Sequence, residues 1–99
     1  MEIKIQALHF DATEKLEAYI EKKVSKLGKH LEGAERIDVQ LKVVKPQTAN
    51  NKEVVISLPA LGTTLRVDKI ADTFEEAIDN CVDAMKVQME KLKDKRRGE

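Results

Sequence analysis

"RIDVQLKVVK", residues 36–45, decides the fold. Ile37, Val39, Leu41 and Val43 alternate with Asp38, Gln40 and Lys42, a period of two that brings four apolar side chains to one face of a β-strand. Pro46 then stops strand pairing, because its ring nitrogen has no hydrogen to donate. The polar stretch PQTANN makes a loop, after which Val54, Ile56 and Leu58 alternate with Glu53, Val55 and Ser57 as a further strand. PALG reads as a turn, and Leu65 and Val67 alternate with Arg66 and Asp68 in the last strand. Connections this short join antiparallel neighbours.

Toward the N-terminus, EIKIQAL alternates Ile3 and Ile5 with Glu2, Lys4 and Gln6, the period of a half-buried strand. Asp11 or Thr13 can cap a helix running to about Leu27 or Lys29, with Gly28 placed to help end it. A helix between two strands is a crossover, so the first and second strands are expected to run parallel. Ala71-Asp72-Thr73 leads into a second helix from about Phe74 to Arg96. The order is β-α-β-β-β-α, an α+β fold with a four-stranded sheet and two helices on one face. Leu16, Ile20, Val24 and Leu27 form the apolar stripe of the first helix, and Phe74, Ile78, Cys81, Met85, Met89 and Leu92 that of the second. The other sheet face is expected to meet water.

Ninety-nine residues are enough for one small domain over 1–99, and 41% hydrophobic residues with only 3% aromatic make its core aliphatic. Eighteen basic and 18 acidic side chains cancel, so any anionic partner must be met by a local patch. No apolar run approaches the roughly 20 residues needed to span a bilayer, and MEIKIQALHF lacks the order of a signal peptide, so no membrane partner and a cytoplasmic location are expected.

At about 100° per residue from Leu16, Lys15, Lys22, Lys26 and Lys29 fall between about 220° and 280°, and Glu14, Glu17 and Glu21 between about 100° and 160°. Mixing the signs would stabilise a solvated helix better, so a one-sign edge hints at a partner. Lys23, at about 340°, sits nearer the core and would snorkel. The second helix divides lengthwise. Residues 72–85 carry Asp72, Glu75, Glu76, Asp79 and Asp83 with no base, and residues 86–97 carry Lys86, Lys91, Lys93, Lys95, Arg96 and Arg97 against Glu90 and Asp94. The macrodipole favours this order, but six bases in three turns exceed its need. A solvated helix with ordinary surface lysines is the competing reading of both clusters, and zero net charge favours it.

Other chemistry finds little support. His9 and His30 lack companion ligands in a metal pattern, Cys81 sits in an apolar stripe, and the chain has no phosphate loop, dinucleotide fingerprint, HExxH or GxSxG. No enzyme, cofactor, metal or small-molecule substrate is expected. Phe10, Tyr19 and Phe74 stand at core or capping positions, where packing is a better use for them than base stacking.

The chain resembles the ribosome hibernation-promoting factor family, also called ribosome-associated inhibitor A or sigma-54 modulation proteins. "IKIQALHFDATEKLEAYIEKKVSKL" is similar to the family's strand, loop, Thr cap, aromatic residue and lysines in order; "VQLKVVK" looks like its second strand, and "DTFEEAIDNCVDAMKVQMEKLKDK" like its final helix. The resemblance implies a fold related to the double-stranded-RNA-binding domain with an extra first strand. It also implies binding to the small ribosomal subunit and its rRNA across the mRNA and tRNA sites, which blocks translation and preserves idle ribosomes. At the matching positions it implies RNA contacts from Lys22, Lys23, Lys26, Lys86, Lys91, Lys93 and Lys95, to which the helical flank adds Lys29. Three departures stand out: Ala84 and Val87 occupy positions where many members have bases, PALG replaces a Gly pair, and one extra residue follows Asp72. The chain ends soon after the second helix, as in the family's short form, so it is not expected to dimerise ribosomes unaided.

Two rivals use the same surfaces. A protein-interaction module modulating a transcription (sigma) factor would use the acidic start of the second helix and the open sheet face. A small-molecule sensor would use the sheet edge.

Overall fold

The computed structural model describes residues 2–8, 10–29, 35–44, 50–60 and 62–97, and the side chains at 29, 60 and 93–97 lie outside that description. Strand β1 spans Glu2–Ala7, helix α1 Glu14–Val24, β2 Arg36–Val43, β3 Lys52–Ala60, β4 Thr63–Ala71 and helix α2 Phe74–Arg97. The sheet order is β1-β2-β3-β4. β1 runs parallel to β2 with Ile3 beside Ile37 and Ile5 beside Val39, and the other two pairings are antiparallel, as the crossover and short connections require.

Each helix begins where its sequence allows a cap. Thr13 Oγ1 accepts from the Leu16 N–H at 3.1 Å, and Thr73 Oγ1 from the Glu76 N–H at 3.1 Å, so each threonine satisfies an amide that the first turn leaves open. Of the two caps considered for α1, Thr13 is the one used. The α-helical part of α1 stops at Val24, and Ser25–Lys29 tighten into a 3₁₀ turn. Side chains three apart eclipse in that geometry, so Leu27 follows Val24 into the core, and both are fully buried.

Both helices cover one sheet face, with α2 on β3 and β4 and α1 beside it. Between the layers lie Ile20, Val24 and Leu27 of α1 and its 3₁₀ turn, Ile37, Val39 and Leu41 of β2, Val54, Ile56 and Leu58 of β3, and Ile78, Cys81, Met85 and Met89 of α2. The two period rules account for this set, and α2 adds Ala77 and Val82 at the edges of its stripe. Phe10 and Phe74 stack with centroids 5.2 Å apart, packed against the core as their positions suggest.

Three expectations change. PALG is not all turn: Pro59 and Ala60 belong to β3 and face Thr64 and Thr63, and Gly62 turns before β4 at φ +79°. Pairing of β3 with β2 ends at Ser57, so Pro59 sits where β3 has β4 as its one neighbour and its missing N–H costs little. β2 ends at Val43 rather than 45, although the Val44 N–H still reaches the Asn51 carbonyl at 2.8 Å; Pro46 and the loop over 45–49 lie outside the described residues. On the open sheet face Val55 is only 7% exposed, because its cross-strand neighbours Gln40 and Asp68 flank it.

Candidate functional site

The helices meet along a polar seam above the core. The Tyr19 hydroxyl of α1 donates to the Asp79 carboxylate of α2, with Oδ1 at 2.8 Å and Oδ2 at 2.9 Å. Lys23 Nζ lies 3.7 Å from Asp79 Oδ1 and 5.6 Å from the centre of the Tyr19 ring, so its stem covers apolar surface while its ammonium bridges the helices. The hydrogen bond to Asp79 is the main reason the Tyr19 phenol is raised above its ordinary 10.0, since ionising it would set two anions together.

Below this seam lies a hollow of about 250 Å³ lined by Lys23, Lys26, Asp79, Val82, Asp83 and Lys86. Lys26 of the 3₁₀ turn is exposed, Lys86 of α2 is half-buried, and neither forms an ion pair among the described residues. The fold thus brings together three of the eight lysines expected to contact RNA, and from two elements that are distant in the sequence. Asp79 is already engaged by Tyr19 and Lys23, which leaves Asp83 against the two free ammonium groups. The mouth of the groove is therefore a place where a phosphate oxygen can replace water around two cations.

The remaining lysines go elsewhere. Lys22 lines a shallow depression with Ile3, Ala18, Glu21 and Ser25, away from α2. Lys15 stands near Thr13, Leu16, Tyr19 and Glu75 at the start of the helices. The one-sign flank of α1 is thus divided among three surroundings. Lys91 is exposed, one turn beyond Gln88, whose amide donates to the Arg66 carbonyl of β4 at 3.2 Å; it belongs to the side of α2 nearer β4. Lys29, Lys93 and Lys95 have side chains outside the described residues. Val87, where a base was missed, is 51% exposed, and Ala84 packs against the core.

Sequence reasoning missed Asp79 as the residue that ties the seam. The available signal was its place on the same flank of α2 as Lys86, opposite an aromatic at the edge of the α1 stripe.

Cys81 is buried, its Sγ lies 3.3 Å from the Val54 carbonyl, and burial pushes its thiol up to about 12, so no thiolate is present at neutral pH. Among the described residues no three His, Cys, Asp or Glu side chains group as a metal site requires, and His9 and His30 lie outside them. No helix is long and apolar enough to cross a membrane among the described residues.

The family described as sigma 54 modulation protein / S30EA ribosomal protein matches residues 3–97, nearly the whole of this fold. The chain belongs to that family. Among curated relatives, a ribosome hibernation promotion factor from Picosynechococcus sp. is 29% identical over 99% of this chain. The chain spans about half, 52%, of that relative's length. The crystal structure of the Thermus thermophilus Protein Y N-terminal domain superposes with a TM-score of 0.77 at 25% identity, covering 93% of this chain and 99% of that one. A ribosomal subunit interface protein from Coxiella burnetii superposes with a TM-score of 0.80 at 18% identity, covering 94% and 98%. These structures share the α+β architecture of the S30EA chain described here.

Proposed function

We propose that this chain is a ribosome-binding factor that occupies the mRNA/tRNA channel of the small ribosomal subunit and so holds idle ribosomes out of translation. The observation that carries this reading is the convergence of Lys23, Lys26 and Lys86 on one groove between α1 and α2, in a family whose relatives include a ribosome hibernation promotion factor. Such a protein acts by occupancy in the cytoplasm, and neither the reading nor the family's description calls for a reaction, a cofactor or a small-molecule substrate. Lysine contacts to phosphates position the protein, and the shape of folded RNA supplies specificity with few base contacts. Lys22, Lys29, Lys91, Lys93 and Lys95 add to the cationic rim in this reading.

Co-sedimentation with small subunits, with and without mRNA and initiator tRNA and at several salt concentrations, tests it. If about five phosphates are neutralised, the log-log dependence of affinity on salt has a slope on the order of −4, and the two ligands displace the protein. Replacing Lys22 and Lys26 by Glu weakens binding and leaves the fold intact. No binding at low salt, or a slope near zero, overturns the proposal.

A second reading follows from the other half of the family's description: a protein-interaction module that modulates a sigma factor. The acidic start of α2, with Asp72, Glu75 and Glu76 exposed, is the surface that favours it. Capture of a sigma factor that survives RNase treatment distinguishes it from the first.

A further inference from the structure

The sheet face away from the helices holds a second concave surface. A hollow of about 370 Å³ opens over β1, β2, β3 and the near end of β4, and three bases reach it from three different strands: Lys4 of β1, Arg36 of β2 and Arg66 of β4. The register puts Lys4, Asp38, Ser57 and Arg66 in one row across the sheet and Gln6, Gln40 and Val55 in the next. Arg36 is held by Asp38, with Nη2 2.9 Å and Nε 3.2 Å from Oδ2, and Glu2 lies close enough to act on its charge. Lys4 and Arg66 are exposed and form no ion pair among the described residues. Asp68 closes the Gln6, Gln40 and Val55 row on β4, and Glu53 stands in the row beyond it, beside Lys42 and within reach of the Arg66 charge.

We propose that this hollow is a second RNA contact, taking the sugar–phosphate backbone of a strand on the side of the molecule opposite the α1–α2 groove. The chemistry of the lining selects that partner. Lys4 and Arg66 supply unpaired cationic donors, and the Gln6 and Gln40 amides and Ser57 hydroxyl supply the neutral donors that typically accompany them on phosphate and sugar oxygens. An acidic protein segment would want an apolar anchor site as well. On this face the floor offers only the Val55 side chain, which is 7% exposed and has almost no surface left to bury, since Val39 turns its side chain into the helix–sheet core. Asp68 and Glu53 limit the strand to the end of the sheet near Arg36. This inference rests on the ribosome-binding reading: a protein seated in a channel meets RNA on two sides, and the two basic surfaces here face away from each other.

Binding to small subunits across a salt series, compared for the natural chain, a Lys4→Gln/Arg66→Gln variant and an Asp38→Asn variant, tests it. The neutralised pair is expected to bind several-fold more weakly, with a salt slope shallower by roughly two, one for each lost phosphate contact. Asp38→Asn releases Arg36 and is expected to bind more tightly, a gain that damage to the fold would not produce. Unchanged affinity and slope in both variants, with the natural chain binding, overturns the second contact alone. Failure of the natural chain to bind at low salt overturns the functional reading and this inference together. A photo-crosslinker on Gln40→Cys separates the two classes of partner, because the buried Cys81 stays unlabelled: a crosslink to rRNA supports the proposal, and a crosslink to a ribosomal protein overturns it in favour of an acidic protein segment.

Discussion

Tyr19 and Asp79, sixty positions apart, are joined by the hydroxyl–carboxylate hydrogen bond that fixes α1 against α2. The same carboxylate holds Lys23, so one side chain sets both the spacing of the helices and the position of a cation in the groove between them. Asp79→Ala is expected to cost about 1 kcal/mol in urea unfolding, the usual scale for losing a charged hydrogen-bond partner at a part-exposed site. Tyr19 is the one tyrosine in the chain, so absorbance titration reads it directly. In the variant its ionisation should fall toward its ordinary 10.0, with partial burial and the Glu75 charge still acting against it. In the natural chain the folded phenol resists ionising while the unfolded one does not, so stability should decline as pH rises above 10.0. A tyrosine that titrates identically in both proteins would refute the coupling.

Lys23 and Lys26 are three residues apart but should respond differently to charge reversal. Lys23→Glu sets a second anion beside Asp79 and removes the contact with the Tyr19 ring, for a loss of about 0.5–1 kcal/mol. Lys26→Glu touches neither and should stay within about 0.5 kcal/mol of the natural chain. Thermal unfolding of the two side by side decides this, and makes position 26 the cleaner probe of RNA binding.

Glu53 on the open face is raised above the ordinary 4.5, first by partial burial and then by the nearby Asp68 charge. The unfolded chain therefore ionises this group more readily than the folded one, and stability is lost as pH rises from about the ordinary carboxylate range through the folded value. Glu53→Gln removes the penalty and should stabilise the protein at pH 7 by about 0.2–1 kcal/mol, the range for side-chain pairs on neighbouring strands, here the diagonal pair Glu53 and Asp68. The difference should vanish well below the ordinary value, where both carboxyl groups are neutral. A stabilisation that persists in acid would point to packing instead.

Thr13→Ala and Thr73→Ala each remove a side-chain acceptor from the first turn of a helix, and each should cost about 1 kcal/mol by denaturant midpoint. Met85→Ala, in the middle of the helix–sheet core, should cost about 2–5 kcal/mol, and an equal effect from all three would mean that the core is looser than its complete burial implies.

The order and facing of the elements were legible in the residues alone, because those depend on local periods. Ile37, Val39 and Leu41 could only share a face, Leu16, Ile20 and Val24 could only form a stripe, and threonine before a run of helix formers could act as a cap. Periodicity does not extend across the molecule. A helical wheel puts Lys22 and Lys26 on one flank, yet only Lys26 lines the groove with Lys86, because the rotation of α1 against α2 is set by the packing of Ile20, Val24 and Ile78 and by the Tyr19–Asp79 bond. The inclusion of Pro59 in β3 depended on how far β2 extends beside it. The meeting of Lys4, Arg36 and Arg66 needed the register of four strands, which the pairing of distant segments sets and no single segment contains.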